Sequence, residues 1–364
     1  MVDKTKDQYP LGAKMWKRAI RAIPGGNGLL SKRPDRYAPD IWPSYFSKSS
    51  GVKVIDLDGN QFIDMAQMGI GSSILGYANK ELTNSIVETM KDGVNCTLNA
   101  PEEVLLAEKL INLNPFASGV RFAKTGGEAM NIAVRISRAA TGRDKILFSG
   151  YHGWNDWYLA ANLKNKNNLN NHLFKGLKAR GIPNELRNTI FTFDYGNFKK
   201  IESIANNNRL AAIKLEVTRN DSASLSFLKK IRALAIKKNI VLIFDECTSG
   251  FRETFGGIHK KYNIYPDIAL YGKSIGNGYP ITAMTGKNSI MEHSKSTFMS
   301  STFWSDRIVP SAGLATLKEM QRIKSWEIIS DIGKKIKKEW KKISLLNKLD
   351  IHVQGISSLP NFYF

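Results

Sequence analysis

A chain of 364 residues with 42% hydrophobic side chains can bury one large core or two ordinary ones, and none of its apolar stretches is long enough to span a membrane. Its formal charge of +21 is spread along the chain, including the Leu163 to Asn171 loop and one helical face from Lys334 to Lys342, so neither nucleic acid nor an anionic membrane is an expected partner. Cys96 and Cys247 are the only cysteines and the five histidines are scattered, which excludes a disulfide framework and a structural metal site; with no apolar signal core in Met1 to Pro10, a cytoplasmic protein is expected.

Ala13 to Ile23 has helical spacing, and Pro24-Gly25-Gly26 stops it. Asn27 to Lys48, with Pro34, Pro39 and Pro43, is turn-rich and reads as an arm. Val52 to Ile55 and Gln61 to Met65 flank Asp58-Gly59 as a hairpin. The segment Gly69-Ile70-Gly71-Ser72-Ser73 reads as flexible and lacks the third glycine of a dinucleotide fingerprint. Glu81 to Lys91 and Glu102 to Leu113 are amphipathic helices by pattern.

From there short apolar runs alternate with helical stretches. The runs are Val120 to Ala123, Ile146 to Phe148, Thr189 to Phe193, Ala211 to Leu215, Val241 to Phe244 and Ile268 to Tyr271. After Gly127, the residues Ala129, Ile132, Ala133, Ile136 and Ala140 share one helical face, as do Phe227, Leu228, Ile231, Leu234 and Ala235 later. This alternation predicts an α/β fold with a mostly parallel sheet covered by helices. Toward the end, Ile328, Ile329, Ile332, Ile336, Trp340 and Ile343 suit one face of a long helix, and Ile351 to Val353 and Asn361 to Phe364 read as strands of a small domain that is only beginning.

Two of the apolar runs end in reactive groups. Asp245 and Glu246 follow Val241 to Phe244, and Gly272-Lys273-Ser274 follows Ile268 to Tyr271. Ligands of open α/β sheets sit outside the carboxyl ends of strands. Taken singly, such an aspartate caps a helix and such a lysine is solvated. Gly272-Lys273-Ser274 is not the tail of a phosphate-binding P-loop, because Asp267 occupies the position of the required glycine. Together the two residues suit a carbonyl cofactor: a lysine forms a Schiff base with pyridoxal phosphate, and a carboxylate keeps its ring nitrogen protonated. Thr125-Gly126-Gly127-Glu128-Ala129, between a strand and a helix, is either an ordinary tight turn or a set of bare N–H groups facing an anion. Tyr151-His152-Gly153-Trp154 puts an aromatic ring at the same sheet edge, as a core-edge residue or a cofactor contact.

The run Asp245-Glu246-Cys247-Thr248-Ser249-Gly250-Phe251-Arg252, then Gly256-Gly257, Pro266-Asp267 and Gly272-Lys273-Ser274-Ile275-Gly276-Asn277-Gly278-Tyr279-Pro280, resembles the class III pyridoxal-phosphate aminotransferases. The resemblance covers essentially the whole chain. It implies a fold type I α/β transferase, with an arm and part of a small domain in residues 1–75, a large cofactor-binding domain in 76–315, and a long helix with an incomplete small domain in 316–364. It makes Lys273 the Schiff-base nucleophile and proton carrier and Asp245 the partner of the ring nitrogen. It places the cofactor phosphate at Gly126 and Gly127, stacks Tyr151 on the ring with His152 beside it, and sets Cys247 on the opposite ring face. Glu216 is a further site residue, although Val217 stands where relatives have proline. Thr302 of Ser301-Thr302-Phe303-Trp304 reaches the phosphate in a neighbouring subunit, which implies a homodimer; Asp306 and Arg307 replace the Asn-Pro common in relatives. No metal is implied.

Within the class, Pro24-Gly25-Gly26 and Ala312 to Leu317 look similar to the glutamate-1-semialdehyde aminomutase branch. That branch's substrate-carboxylate arginine has no clean counterpart among Arg33 and Arg36, and Trp154 to Trp157 and Phe303-Trp304 also depart from it. The expected activity is therefore transfer between a small-molecule amino donor and a carbonyl acceptor, with the aminomutase as the alternative. A non-catalytic relative would be expected to lack Lys273 or Asp245, and both are present. Relatives continue past Phe364, so a truncated chain with an unpaired apolar end strand is expected.

Overall fold

A computed structural model describes residues 9–38, 41–65, 67–219 and 223–364, Gln67 by its backbone alone. Pro39 of the expected arm lies outside the described residues. The first helix, α1 (Pro10–Ala22), opens with proline, whose missing N–H costs nothing at that position. Its next amides, on Leu11 and Gly12, donate to the two carboxylate oxygens of Asp58 at 3.0 and 3.3 Å. The hairpin turn thereby caps the arm helix. That turn joins β2 (Lys53–Asp56) to β3 (Gln61–Ile63), antiparallel as expected, and is held by Asp56, which accepts from the amides of Asp58 and Asn60. Residues expected to be arm also supply an additional strand, β1 (Phe46–Ser50), on the outer side of β2. Gly69 to Ser73 is not a free loop. Met68 and Ile70 have φ of 33° and 59°, Ser72 Oγ donates to the Gly69 carbonyl, and the Arg252 guanidinium donates to the Gly71 carbonyl.

Helices α2 (Lys80–Lys91) and α3 (Pro101–Leu113) precede the central sheet. Its strands are β4 (Gly119–Ala123), β5 (Lys145–Ser149), β6 (Ile190–Thr192), β7 (Leu210–Glu216), β8 (Val241–Asp245), β9 (Ile268–Tyr271) and β10 (Thr282–Gly286), in the order β4-β10-β9-β8-β7-β5-β6. The parallel pairs β5 to β9 match the apolar runs. Strand β10 is absent from the sequence reading and runs antiparallel between β9 and β4. Its residues, Thr-Ala-Met-Thr-Gly, are small and weakly apolar, so burial by two neighbours makes the strand rather than local preference.

The alternation of side chains divides the core into layers. Helix α4 (Gly126–Thr141) lays Ala129, Ile132, Ala133 and Ile136 on Ile146, Phe148, Ile243 and Leu270. On the other face, α6 (Leu225–Lys238) follows α5 (Phe198–Asn207) and packs Phe227, Leu228, Ile231 and Leu234 on Leu147, Ile213, Leu242 and Phe244. Each buried Leu, Ile or Phe among them contributes roughly 1.5–3 kcal/mol of burial.

Beyond the sheet, α7 (Ile308–Ile323) leads into α8 (Ser325–Leu346) and the antiparallel pair β11 (His352–Gln354) and β12 (Asn361–Tyr363), so the end strand expected to be unpaired has β11 as its partner along one edge. The apolar stripe expected on α8 is only partly covered, with Ile328, Ile332 and Ile343 about half exposed. What fixes the helix is Trp340 edge-on to Phe362 at 5.0 Å and the close seating of the Ser357 carbonyl over Gly333. Among the described residues no helix is long and apolar enough to cross a membrane.

Candidate active site

Because β5, β7, β8 and β9 lie side by side, their carboxyl ends bring His152, Glu216, Asp245 and Lys273 to one edge of the sheet. Glu216 and Asp245 are register partners at the ends of β7 and β8, and Asp245 pairs with Leu270, three residues before Lys273.

Asp245 is buried, and each of its oxygens has a job. One lies 2.7 Å from His152 Nδ1 and 3.9 Å from Lys214 Nζ; the other accepts from the Cys247 amide at 3.1 Å. Burial opposes its ionisation, but the Lys214 ammonium and the hydrogen bond from His152 outweigh that and hold the carboxyl down to about 2. His152 is also fully enclosed, and burial, with Lys214 adding to it, lowers the imidazole to about 4. The ring therefore carries one proton at neutral pH, on Nδ1 toward the carboxylate. Trp157 lies nearly parallel to it at 6.3 Å.

Lys273 adopts a left-handed conformation, φ 43°, which costs a non-glycine residue energy and aims its side chain at the edge cluster. Its amine donates to Thr248 Oγ1 at 2.8 Å, and Arg219 donates to the same hydroxyl at 3.2 Å. Burial first, then the Arg219 charge, lowers the Lys273 amine to about 8. Glu216 accepts from the Tyr151 amide at 3.0 Å and meets Arg219 at 3.4 Å. Burial raises its carboxyl, and Arg219 only partly offsets that. The Arg219 guanidinium also stands 5.9 Å over the Tyr151 ring. A cavity of about 620 Å³, lined in part by Gly150, His172, Tyr195, Glu216 and Arg219, opens beside these groups.

Gly126 and Gly127 begin α4, where Thr125 and Glu128 form a capping box. The box satisfies the Glu128 and Thr125 amides. Among the described residues the Gly126 and Gly127 amides donate to nothing, so two bare N–H groups point out of the start of a sixteen-residue helix. A side chain at Gly127 would stand 3.2 Å from Trp154 Nε1. Cys247 is buried against Gly272, and burial raises its thiol. Thr302 does not join this cluster: it lies exposed at the start of the turn Thr302–Ser305.

Three side chains of this edge were not singled out from sequence. Lys214 had a signal, an ammonium inside an otherwise apolar run on a strand buried on both faces. Arg219 and Thr248 had none, since only the fold brings the strand-end loops after β7 and β8 together.

The profile of class III aminotransferases matches residues 37–356. The chain is similar to a 3-aminobutyryl-CoA aminotransferase of Cloacimonas acidaminovorans, with 31% identity over 96% of this chain and 82% of that one. It is also similar to a glutamate-1-semialdehyde 2,1-aminomutase of Sulfolobus acidocaldarius, with 32% identity over 93% of this chain and 80% of the other. A solved transaminase with pyridoxal phosphate bound superposes with a TM-score of 0.86 at 26% identity, covering 97% of this chain and 84% of its own. With a family profile spanning most of its length and relatives above 30% identity, the chain belongs to the class III aminotransferases, enzymes that work with pyridoxal phosphate.

Proposed function

We propose that Lys273 is the residue through which this aminotransferase holds its cofactor and moves an amino group from a small-molecule donor to a carbonyl acceptor. The observation that carries the assignment is the amine itself, desolvated, lowered to about 8 and held on Thr248, at the sheet edge where the ionised, buried Asp245 ends the neighbouring strand. The residues present suit the cofactor: two bare amides at the start of α4 for a phosphate, Tyr151 and Cys247 for the two ring faces, and Asp245 for a ring nitrogen. When bound, pyridoxal phosphate supplies a carbonyl that condenses with amines and a ring that accepts electron density from the neighbouring carbon.

An amine with a proton affinity near neutral pH serves both as nucleophile and as the base that carries a proton at Nζ. Asp245 stays ionised because Lys214 and the Nδ1–H of His152 favour its charged form. Glu216 orders the backbone that presents Tyr151. Arg219 offers a guanidinium with long contacts, 3.4 Å to Glu216 and 3.2 Å to Thr248, to the carboxylate of a donor or acceptor.

A homodimer is part of the same reading, with Thr302 serving the neighbouring subunit. Its support is three exposed aromatics on segments beside α4: Trp154 is 72% exposed, Phe298 84% and Phe303 66%. We further read residues 76–315 as the large domain, with 1–75 and 316–364 contributing to a smaller one, and the cytoplasm as the compartment, consistent with two unpaired cysteines.

The similarity to aminomutases favours a second reading, an amino shift within one substrate. Against it, Arg33, one candidate for a substrate carboxylate, already spends its fork on Asp35 at 3.0 and 2.8 Å. Lys273→Ala tests the assignment: visible absorbance of bound cofactor and turnover with a panel of amino donors should both be lost. Retention of both would overturn it.

A further inference from the structure

Every residue of β7 is buried, and Lys214 stands in its middle. Its neighbours in register are Ile243 on β8 and Phe148 on β5, and its side chain points to the face covered by α4, the face that also carries Asp245 and Glu216. There the ammonium meets Met130 Sδ at 2.6 Å and Asp245 Oδ2 at 3.9 Å. A thioether is a weak acceptor, and an ammonium has three protons to place. Among the described residues Asp245 is the one anion within ion-pair distance of Lys214.

The pairing is mutual. Apart from Lys214, the Asp245 carboxylate has only uncharged partners, a neutral imidazole, one backbone amide and the Cys247 thiol. A buried ion that loses its counter-ion is costly, whichever member is removed. When a protonated ring nitrogen comes to the same carboxylate, two cations share one anion, and each weakens the other's hold.

We propose that Lys214 is a positioning residue: its ammonium is the resident counter-charge of Asp245 in the cofactor-free chain, and it competes with the cofactor ring for that carboxylate. The inference rests on the reading of Asp245 as the partner of the ring nitrogen. It follows that Lys214 stabilises the empty enzyme and limits how tightly the cofactor is held, leaving the cofactor exchangeable.

The experiment compares wild type, Lys214→Met, Asp245→Asn and the double variant, each stripped of cofactor. Pyridoxal phosphate affinity is read from absorbance titrations, and melting midpoints are taken with and without cofactor. Removing the competing charge should tighten cofactor binding by about tenfold or more and lower the midpoint of the stripped form, widening the gap between stripped and loaded protein. Asp245→Asn should weaken binding, and adding Lys214→Met to it should change affinity by less than about twofold, because no carboxylate remains to be shared. A folded Lys214→Met protein with unchanged or weaker affinity overturns the proposal, as does an equal gain in the Asp245→Asn background. If Lys214→Met alone is recovered only unfolded, the double variant decides: a folded double variant supports the charge pair, and an unfolded one assigns the lysine to packing and overturns the proposal. Asp245→Asn with unchanged affinity and turnover would instead sink the reading of Asp245, an outcome distinct from failure at Lys214.

Discussion

Replacing Asp245 by asparagine removes a charge and almost no volume, which makes the stability of the stripped chain a direct measure of the charge network under the site. The carboxyl is held at about 2 against an ordinary 3.8, and at about 1.4 kcal/mol for each decade of proton affinity this corresponds to about 2–3 kcal/mol of net stabilisation at neutral pH. The gross attraction to Lys214 at 3.9 Å, with an effective dielectric near 20, is about 4 kcal/mol. The net figure is smaller because burial itself opposes ionisation. Asp245→Asn should therefore cost about 2–4 kcal/mol at pH 7 and lower the melting midpoint by several degrees. The sign of the pH dependence is set by a depressed carboxyl. Its contribution is fully present above 3.8 and disappears as pH falls toward about 2, so the gap between wild type and variant should close over that window. Thermal and urea unfolding of both stripped proteins from pH 7 to pH 3 provides the assay. Equal midpoints at pH 7, or a gap unchanged at pH 3, would refute the charge network described here.

Cofactor capture by the stripped chain should accelerate as pH rises through about 8, since only the deprotonated Lys273 amine is nucleophilic; stopped-flow absorbance against pH would show this, and a flat profile would contradict it. Gly150→Ala should destabilise by a few kcal/mol, because Gly150 has φ 106° and an added Cβ would lie 2.7 Å from Glu216 Oε2; calorimetry should find a lower midpoint together with weaker cofactor binding. Glu246→Ala should cost about 3 kcal/mol or more, because this enclosed carboxylate accepts from Ser249 Oγ, the amides of Ile258 and His259, and His259 Nδ1. Denaturant titration would measure the loss, and an unchanged midpoint would show that the loop after β8 is held by other contacts.

Much of the α/β layering could be read from one dimension because its signals are local. Val241 to Phe244 and Ile268 to Tyr271 are continuous apolar runs, as strands covered on both faces must be, and the spacing of Ala129, Ile132, Ala133 and Ile136 marks the covered face of α4 without reference to any partner. Asp245, Lys273, Gly126 and Gly127 were legible for the same reason: each stands where a strand or a helix begins or ends, and a polar or bare residue at such a boundary is visible in the sequence. Strand β10 was not, because Thr282 to Gly286 becomes a strand only through its two antiparallel neighbours. The stripe on α8 was legible as one helical face, but periodicity does not report what covers a face, and here Phe362 and the Ser357 turn cover only part. The electrostatics of the site belong wholly to the tertiary structure. Lys214 and Arg219 are separated from Asp245 and Lys273 along the chain, as Thr248 is from Lys273, and only the side-by-side order of β5, β7, β8 and β9 turns scattered residues into one carboxylate shared by a lysine and a histidine, and one hydroxyl shared by a lysine and an arginine. Composition and period determine where chains bury apolar surface, whereas charges act through distance, and distance is decided by the fold.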